Sequence, residues 1–395
     1  MTTNNNNNVH SEHATGWRGR GDLQTMVDEL KRQLDSKVDF VADTRGVNIQ
    51  ADNNQLLVRP ASPQTGEFID AAGVPLATRA AKQFGERCTP RVPVKFTEQL
   101  ATDHPDIAAA LLNDLSHATP ARRLFRCLDG QVRAVLSDRY RVMDNYDLAL
   151  TALNAVREHE GEVVECALSD TKMRLKFTTR AVFDAIESNR KGDSGSWYAG
   201  GMGDGAHLRR VGARTGGELP GGPGTVHPLV TISNSETGNG GLNVRVGILR
   251  AICFNLSTVE DVQCKVHLGG QMDAGIFTAE TISADSKVIM MKCRDAITAA
   301  FQPDVFARLV ARCNEANSDV IAAPTAAVDN LVGNAGLSET ARDEILSHFL
   351  RDYDSTRYGL AQAVSRHAQS FDDADAGTDM EDVAGALIAS PALVS

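Results

Sequence analysis

One stretch constrains the fold of this chain more than any other: Pro228–Asn255, reading PLVTISNSETGNGGLNVRVGILRAICFN. Two β-prone runs, Leu229–Ile232 and Leu242–Leu249, flank a polar, glycine-rich turn at Asn234–Gly241. Asn, Ser, Thr and Gly collect in turns because they tolerate positive φ or close local side-chain hydrogen bonds. A chain with such a hairpin needs an antiparallel sheet around it and an apolar layer to cover one face.

Other hairpins are written in the same way. Ala121–Arg126 and Gln131–Val135 flank Asp129-Gly130, a pair favoured in two-residue turns. Glu162–Leu168 and Met173–Phe177 turn at Ser169-Asp170. Helical periodicity separates them: Leu148, Leu150, Leu153 and Val156 predict a helix over 145–157, and Val288, Ile289, Met291 and Ile297 predict one over 284–301. Pro105 and Pro303 suit first-turn positions, and Ser338 suits a helix N-cap. The expected fold class is α+β, an antiparallel sheet built from hairpins 121–141, 162–177 and 229–253 with packed helices, plus a helical C-terminal unit. The expected units are a disordered tail over 1–21, an α/β segment over 22–90 and a central α+β domain over 91–316 with a glycine-rich loop at 188–224. A helical C-terminal unit over 317–370 and an acidic tail over 371–395 complete them.

Composition narrows the function classes. No apolar run reaches the roughly 20 residues that a membrane helix needs, and MTTNNNNNVHSEH lacks the basic-then-apolar pattern of a signal peptide. The expectation is no membrane partner and a cytosolic protein in whichever cell hosts the gene. Cys88, Cys127, Cys166, Cys253, Cys264, Cys293 and Cys313 are scattered without a C-x-x-C pair, which predicts buried thiols, no disulfide framework and no metal site. No cofactor is expected.

The net charge of −11 is unevenly spread. Residues 121–141 carry Arg122, Arg126, Arg133, Arg139 and Arg141 beside Tyr140, whereas Phe371–Ser395 holds six acids and no base. Cationic strands beside an aromatic ring can hold a phosphate backbone while bases stack. The competing reading is a solvated sheet face paired with its own acids. Trp197, Arg209 and Arg210 in the glycine-rich loop extend the nucleic-acid reading. Enzyme readings have less behind them: Gly200–Gly205 has no preceding strand and no Gly-Lys-Ser/Thr, and Ser235 has no nucleophile elbow, with His227 and His267 only near in sequence.

Several blocks together suggest a family. Asn234-Ser235-Glu-Thr-Gly238, then Arg250-Ala-Ile-Cys253-Phe-Asn255, then His267-Leu-Gly269, resemble the signature order of phage/plasmid-like proteins carrying domain of unknown function 932. Arg133–Tyr140 and Arg357–Ala363 resemble two further blocks, so the likeness covers roughly Arg122–Ala363. The chain departs at Asn255-Leu256, where the family commonly has Asn-Gly. The resemblance implies a mobile-element context, phage or plasmid, and brings no activity with it. The order around 121–178 is also similar to the cores of phage single-strand annealing proteins, in architecture only. The expectation is a non-catalytic protein that binds single-stranded DNA or RNA in replication or recombination. The alternatives are a structural protein assembling as a homo-oligomer and, third, a metal-dependent nuclease or hydrolase.

Overall fold

The computed structural model describes residues 19–60, 72–186, 225–250, 256–258, 264–265, 279–371 and 373–391. Its largest sheet is built outward from the hairpin β11 (Thr225–Asn234) and β12 (Asn243–Arg250), with Val230 opposite Val246 and Thr231 opposite Arg245. The strand order is β1 (Gly19–Gly21), β8 (Gly161–Leu168), β9 (Met173–Thr179), β11, β12, β13 (Leu256–Thr258). Two short strands join it, β10 (Asp184–Ala185) on β11 and β14 (Cys264–Lys265) on β12. All pairings are antiparallel.

Alternation sorts the two faces of this sheet. Leu175, Phe177, Val230, Ile232, Val244, Val246 and Ile248 enter one core with Met26 and Leu30 of α1 (Leu23–Ser36), Leu148 and Ala152 of α5 (Asn145–Glu158), and Ile289 and Ile297 of α6 (Ala279–Ala300). The opposite face carries Arg174, Lys176 and Arg245, aligned across the strands because Thr231 pairs with both Lys176 and Arg245.

A second core joins two three-stranded sheets. One has the order β2 (Phe40–Asp43), β6 (Arg122–Leu128), β7 (Gln131–Ser137), and the other β3 (Val47–Asp52), β4 (Gln55–Pro60), β5 (Val74–Pro75). Helices α2 (Thr78–Glu86), α3 (Val94–Asp103) and α4 (Pro105–Ala118) cover them, and Phe125 stacks on Phe40 at 4.9 Å. The α+β class is therefore observed, but hairpin 121–141 does not extend the large sheet. Its edge is taken by β2, whose Phe40 and Ala42 pack on this second core.

The C-terminal helices are α7 (Pro303–Ser318), α8 (Pro324–Ala335), α9 (Glu339–Asp352), α10 (Arg357–Ala368) and α11 (Ala374–Ala389). Pro303 and Pro324 sit in first turns, and the Ser338 and Thr356 hydroxyls accept from the amides of Ala341 and Gly359. Every residue of α10 except Arg366 is buried. A β-carbon at Gly359 would lie 2.0 Å from the Asp354 carbonyl oxygen, so only glycine fits there. No helix among the described residues is long and apolar enough to cross a membrane.

Several expected boundaries need correction. The acidic segment expected to be a tail holds a packed helix: α11 buries Met380, Ala384, Leu387 and Ile388 in the main core. Its acids Asp375, Glu381 and Asp382 meet Arg174, Lys176 and Arg245 on the polar sheet face. Gly19–Gly21, expected within a disordered segment, pair with Cys166–Leu168 as β1. The divisions at 90/91 and 316/317 cut through shared cores, since α2 packs with β7, and α1 and α10 contribute to one cluster.

Candidate functional site

The turn at Asn234–Gly241 and the arginine hairpin, separate in sequence, meet in space. Arg126 is fully buried, donating from Nε to Asp39 Oδ2 at 2.9 Å and from Nη1 to the Glu236 carbonyl at 2.8 Å. Arg133 forms an ion pair with the Glu236 carboxylate, whose other oxygen accepts from the Asn145 amide at 2.6 Å. Burial raises the Glu236 pKa, but Arg133, Arg126 and the Asn145 amide outweigh it and hold the carboxyl below its ordinary value. Burial likewise works against the Arg126 charge, and Glu236, Asp39 and Asp144 overcome it.

The rest of the motif turn is saturated by its own surroundings. Asn234 donates to the Met143 carbonyl at 3.1 Å and to Asn145 Oδ1 at 2.8 Å. Ser235 Oγ accepts from the amides of Thr237 and Asn239 at 3.3 and 2.9 Å. Gly238 has φ +77°, and a β-carbon there would lie 2.6 Å from Leu136 Cδ2. Gln83 ties the two bodies, donating to the Thr237 carbonyl at 2.7 Å and accepting from the Val135 amide at 3.0 Å. Tyr140 donates to the Ser235 carbonyl at 2.8 Å, and burial pushes its phenol pKa up. This is a polar keystone between the two cores. Ser235 has no imidazole partner in it, and His227 lies elsewhere in β11, buried against the Thr179 carbonyl and Phe183.

The proposed phosphate-contacting arginines therefore divide. Arg126 and Arg133 are held by Glu236, and Arg141 pairs with Asp285 at 2.5 Å. Tyr140 is packed into the keystone and cannot offer its ring face as an open stacking platform. Arg122 and Arg139 are exposed. Trp197, Arg209, Arg210, Cys253, Asn255 and His267 lie outside the described residues, as does the side chain of Arg250, whose backbone pairs with Val226.

A different basic cluster stands beside the start of β6. Arg123 donates from Nη2 to the Arg87 carbonyl at 3.0 Å, and Arg87 donates from Nη1 to the Gln83 carbonyl at 2.9 Å. Among the described residues neither forms an ion pair with a carboxylate. Burial lowers the Arg87 pKa; Glu86 opposes the shift and the neighbouring Arg123 charge adds to it. Arg91, Lys95 and Arg122 are exposed close by in the chain, and Phe96 is 50% exposed. Both arginines are half-buried, carbonyls are their hydrogen-bond acceptors, and the Arg123 charge acts on Arg87, an arrangement that an added anion would stabilise.

Elsewhere, an open cavity of about 420 Å³ lies between the β3–β4 turn and the α3–α4 junction, lined by Asp52, Asn53, Asn54, Asp103, His104 and Asp106. Among the described residues no group of three or more His, Cys, Asp or Glu is arranged to hold a metal ion.

No family model, no curated protein and no solved structure matches this chain.

The structure gives packing reasons for several residues of the motif blocks. Arg357 donates to the carbonyls of Leu387 and Ile388, both at 2.7 Å, and so caps the C-terminus of α11. Arg123 belongs to the arginine-rich run over 121–141, but Arg87 had no sequence signal, because it lies 36 positions away at the end of α2 and meets β6 only in the fold.

Proposed function

We propose that this chain is a non-catalytic binder of single-stranded nucleic acid, serving replication or recombination of a mobile element. The observation that carries the reading is the Arg87–Arg123 pair, two neighbouring guanidiniums with no carboxylate partner. Exposed Arg91, Lys95 and Arg122 supply further phosphate contacts, and half-exposed Phe96 supplies a ring on which a base can stack. The chain's net charge of −11 does not oppose this, since a local cluster sets the field that a polyanion meets. The mobile-element setting rests on the family resemblance alone.

The test is fluorescence anisotropy with oligo(dT) across a salt titration, comparing the wild type with Arg87→Ala/Arg123→Ala. Removing two phosphate contacts weakens binding by about tenfold at low salt and flattens the log K against log salt slope by roughly 1.4. An absence of wild-type binding at low salt, or an unchanged slope in the variant, rejects the reading.

A further inference from the structure

The polar face of the large sheet is rich in ion pairs. Among its described side chains, Arg174 and Lys176 of β9 and Arg245 of β12 each meet an acid of helix α11, Asp375, Glu381 and Asp382 respectively, and Lys176 also lies 3.6 Å from Glu165 of β8 on the sheet itself. The central pair is fully enclosed, with Lys176 Nζ 2.8 Å from both Glu381 oxygens. Arg79, at the start of α2, adds positive charge near Asp375 and Asp170, and its Nε is buried without a hydrogen-bond partner. An interface that serves only to hold a helix in place gains little from this arrangement, because apolar residues of similar volume replace buried ion pairs at equal or better stability. The three cations lie on the sheet and three of their four acid partners on the helix, with Glu165 of β8 the fourth, so without the helix the sheet face is predominantly cationic and complementary to a polyanion.

Helix α11 divides its attachments. Met380, Ala384, Leu387 and Ile388 form an apolar stripe in the main core, where α10 is buried, and Arg357 of α10 caps the helix C-terminus. Its ties to Arg174, Lys176 and Arg245 are ionic. The sheet contact can therefore be exchanged for other anions through a different set of interactions from those that join α11 to its helical neighbours.

We propose that the sheet face carrying Arg174, Lys176 and Arg245 is a second polyanion-binding surface, and that α11 is its intramolecular occupant, displaced by single-stranded nucleic acid. The proposal rests on the nucleic-acid reading above but concerns a different surface from Arg87–Arg123. Strand residues Thr231 and Ser233 lie beside the cations on this face and offer hydroxyls to phosphate or sugar. Because the occupant is tethered, it competes at high effective concentration, so the free chain binds more weakly than the bare face.

Two measurements with oligo(dT) on the full chain test this. Asp375→Asn/Asp382→Asn weakens the occupant while keeping Glu381 on Lys176, and roughly tenfold tighter binding is expected at low salt. Asp304→Asn/Asp379→Asn makes the same charge change at exposed positions, and should gain far less. An equal gain in both variants, or no gain in the first, overturns the proposal. The second measurement locks the helix with Thr171→Cys/Asp375→Cys, at a pair whose side chains already meet at 2.9 Å. The oxidised protein should bind about tenfold more weakly than the same protein reduced; equal or tighter binding overturns the proposal. If the wild type binds but the helix variants change nothing, only the second surface falls. If the wild type fails to bind and Asp375→Asn/Asp382→Asn binds, the Arg87–Arg123 reading falls and the second surface stands. If neither binds, both fall.

Discussion

Arg126 and Arg123 are three residues apart on the same strand, yet they have opposite fates. Arg126 points beneath the motif turn, where Asp39, Asp144 and Glu236 converge on it. Arg123 meets only backbone carbonyls and another arginine. The difference teaches that an arginine run in a sequence is not a charge patch until its counterions are known. In the first case the guanidinium is a structural cross-link whose loss strands a buried carboxylate. In the second it holds unneutralised charge at half-buried positions, which favours binding a mobile anion.

The sharpest way to break the comparison is to remove the shared counterion. Glu236→Gln leaves Arg126 buried with weaker compensation and should lower unfolding stability by about 3–5 kcal/mol in urea titrations. Arg87→Ala/Arg123→Ala should change stability by less than about 1 kcal/mol, because no ion pair is lost. Comparable losses in both would erase the distinction.

A smaller effect separates the two regions by function. Arg133→Met should leave oligo(dT) affinity within about twofold of wild type once its folded fraction is taken into account, whereas Arg87→Ala/Arg123→Ala should lose about tenfold. Smaller still is Arg122→Ala, a single exposed contact, for which about a threefold loss and a slope change of about 0.7 are expected.

Acid titration sharpens the comparison further. The Glu236 and Asp375 carboxyls are held below their ordinary values, burial being outweighed by Arg133 and Arg126 in one case and by Arg174 in the other. A depressed folded pKa contributes stability that is fully present above the unfolded value, about 4, and is lost as pH falls through the folded value. Thermal midpoints should therefore be flat from about pH 5 to 8 and fall steadily below about pH 4, steeper than in Glu236→Gln. Guanidinium groups as a class keep their charge across neutral pH, so affinity at pH 5 to 8 should barely move.

Local chemistry made much of the fold legible. Asp129-Gly130 is a hairpin turn with both φ positive, at 51° and 75°. The prolines at 105 and 303 begin helices, and Cys88, Cys127, Cys166, Cys293 and Cys313 are buried free thiols. Burial pushes Cys127 and Cys313 up to about 12, which makes them poor nucleophiles. What stayed hidden depends on long-range pairing. Strand parity places Arg126 on a face but does not say that the carbonyl of Glu236, 110 positions away, accepts from its guanidinium. Six acids without a base in Phe371–Ser395 suggest a solvated tail until Arg174, Lys176 and Arg245 are seen to share one sheet face.

The position of α11 also bears on how the protein is made. The core that contains Met26 and Leu30 also contains Leu387 and Ile388, so a chain emerging from the ribosome carries that core unfinished until α11 has been made. Until residues 374–389 arrive, Arg174, Lys176 and Arg245 also lack the acids that this helix brings to them.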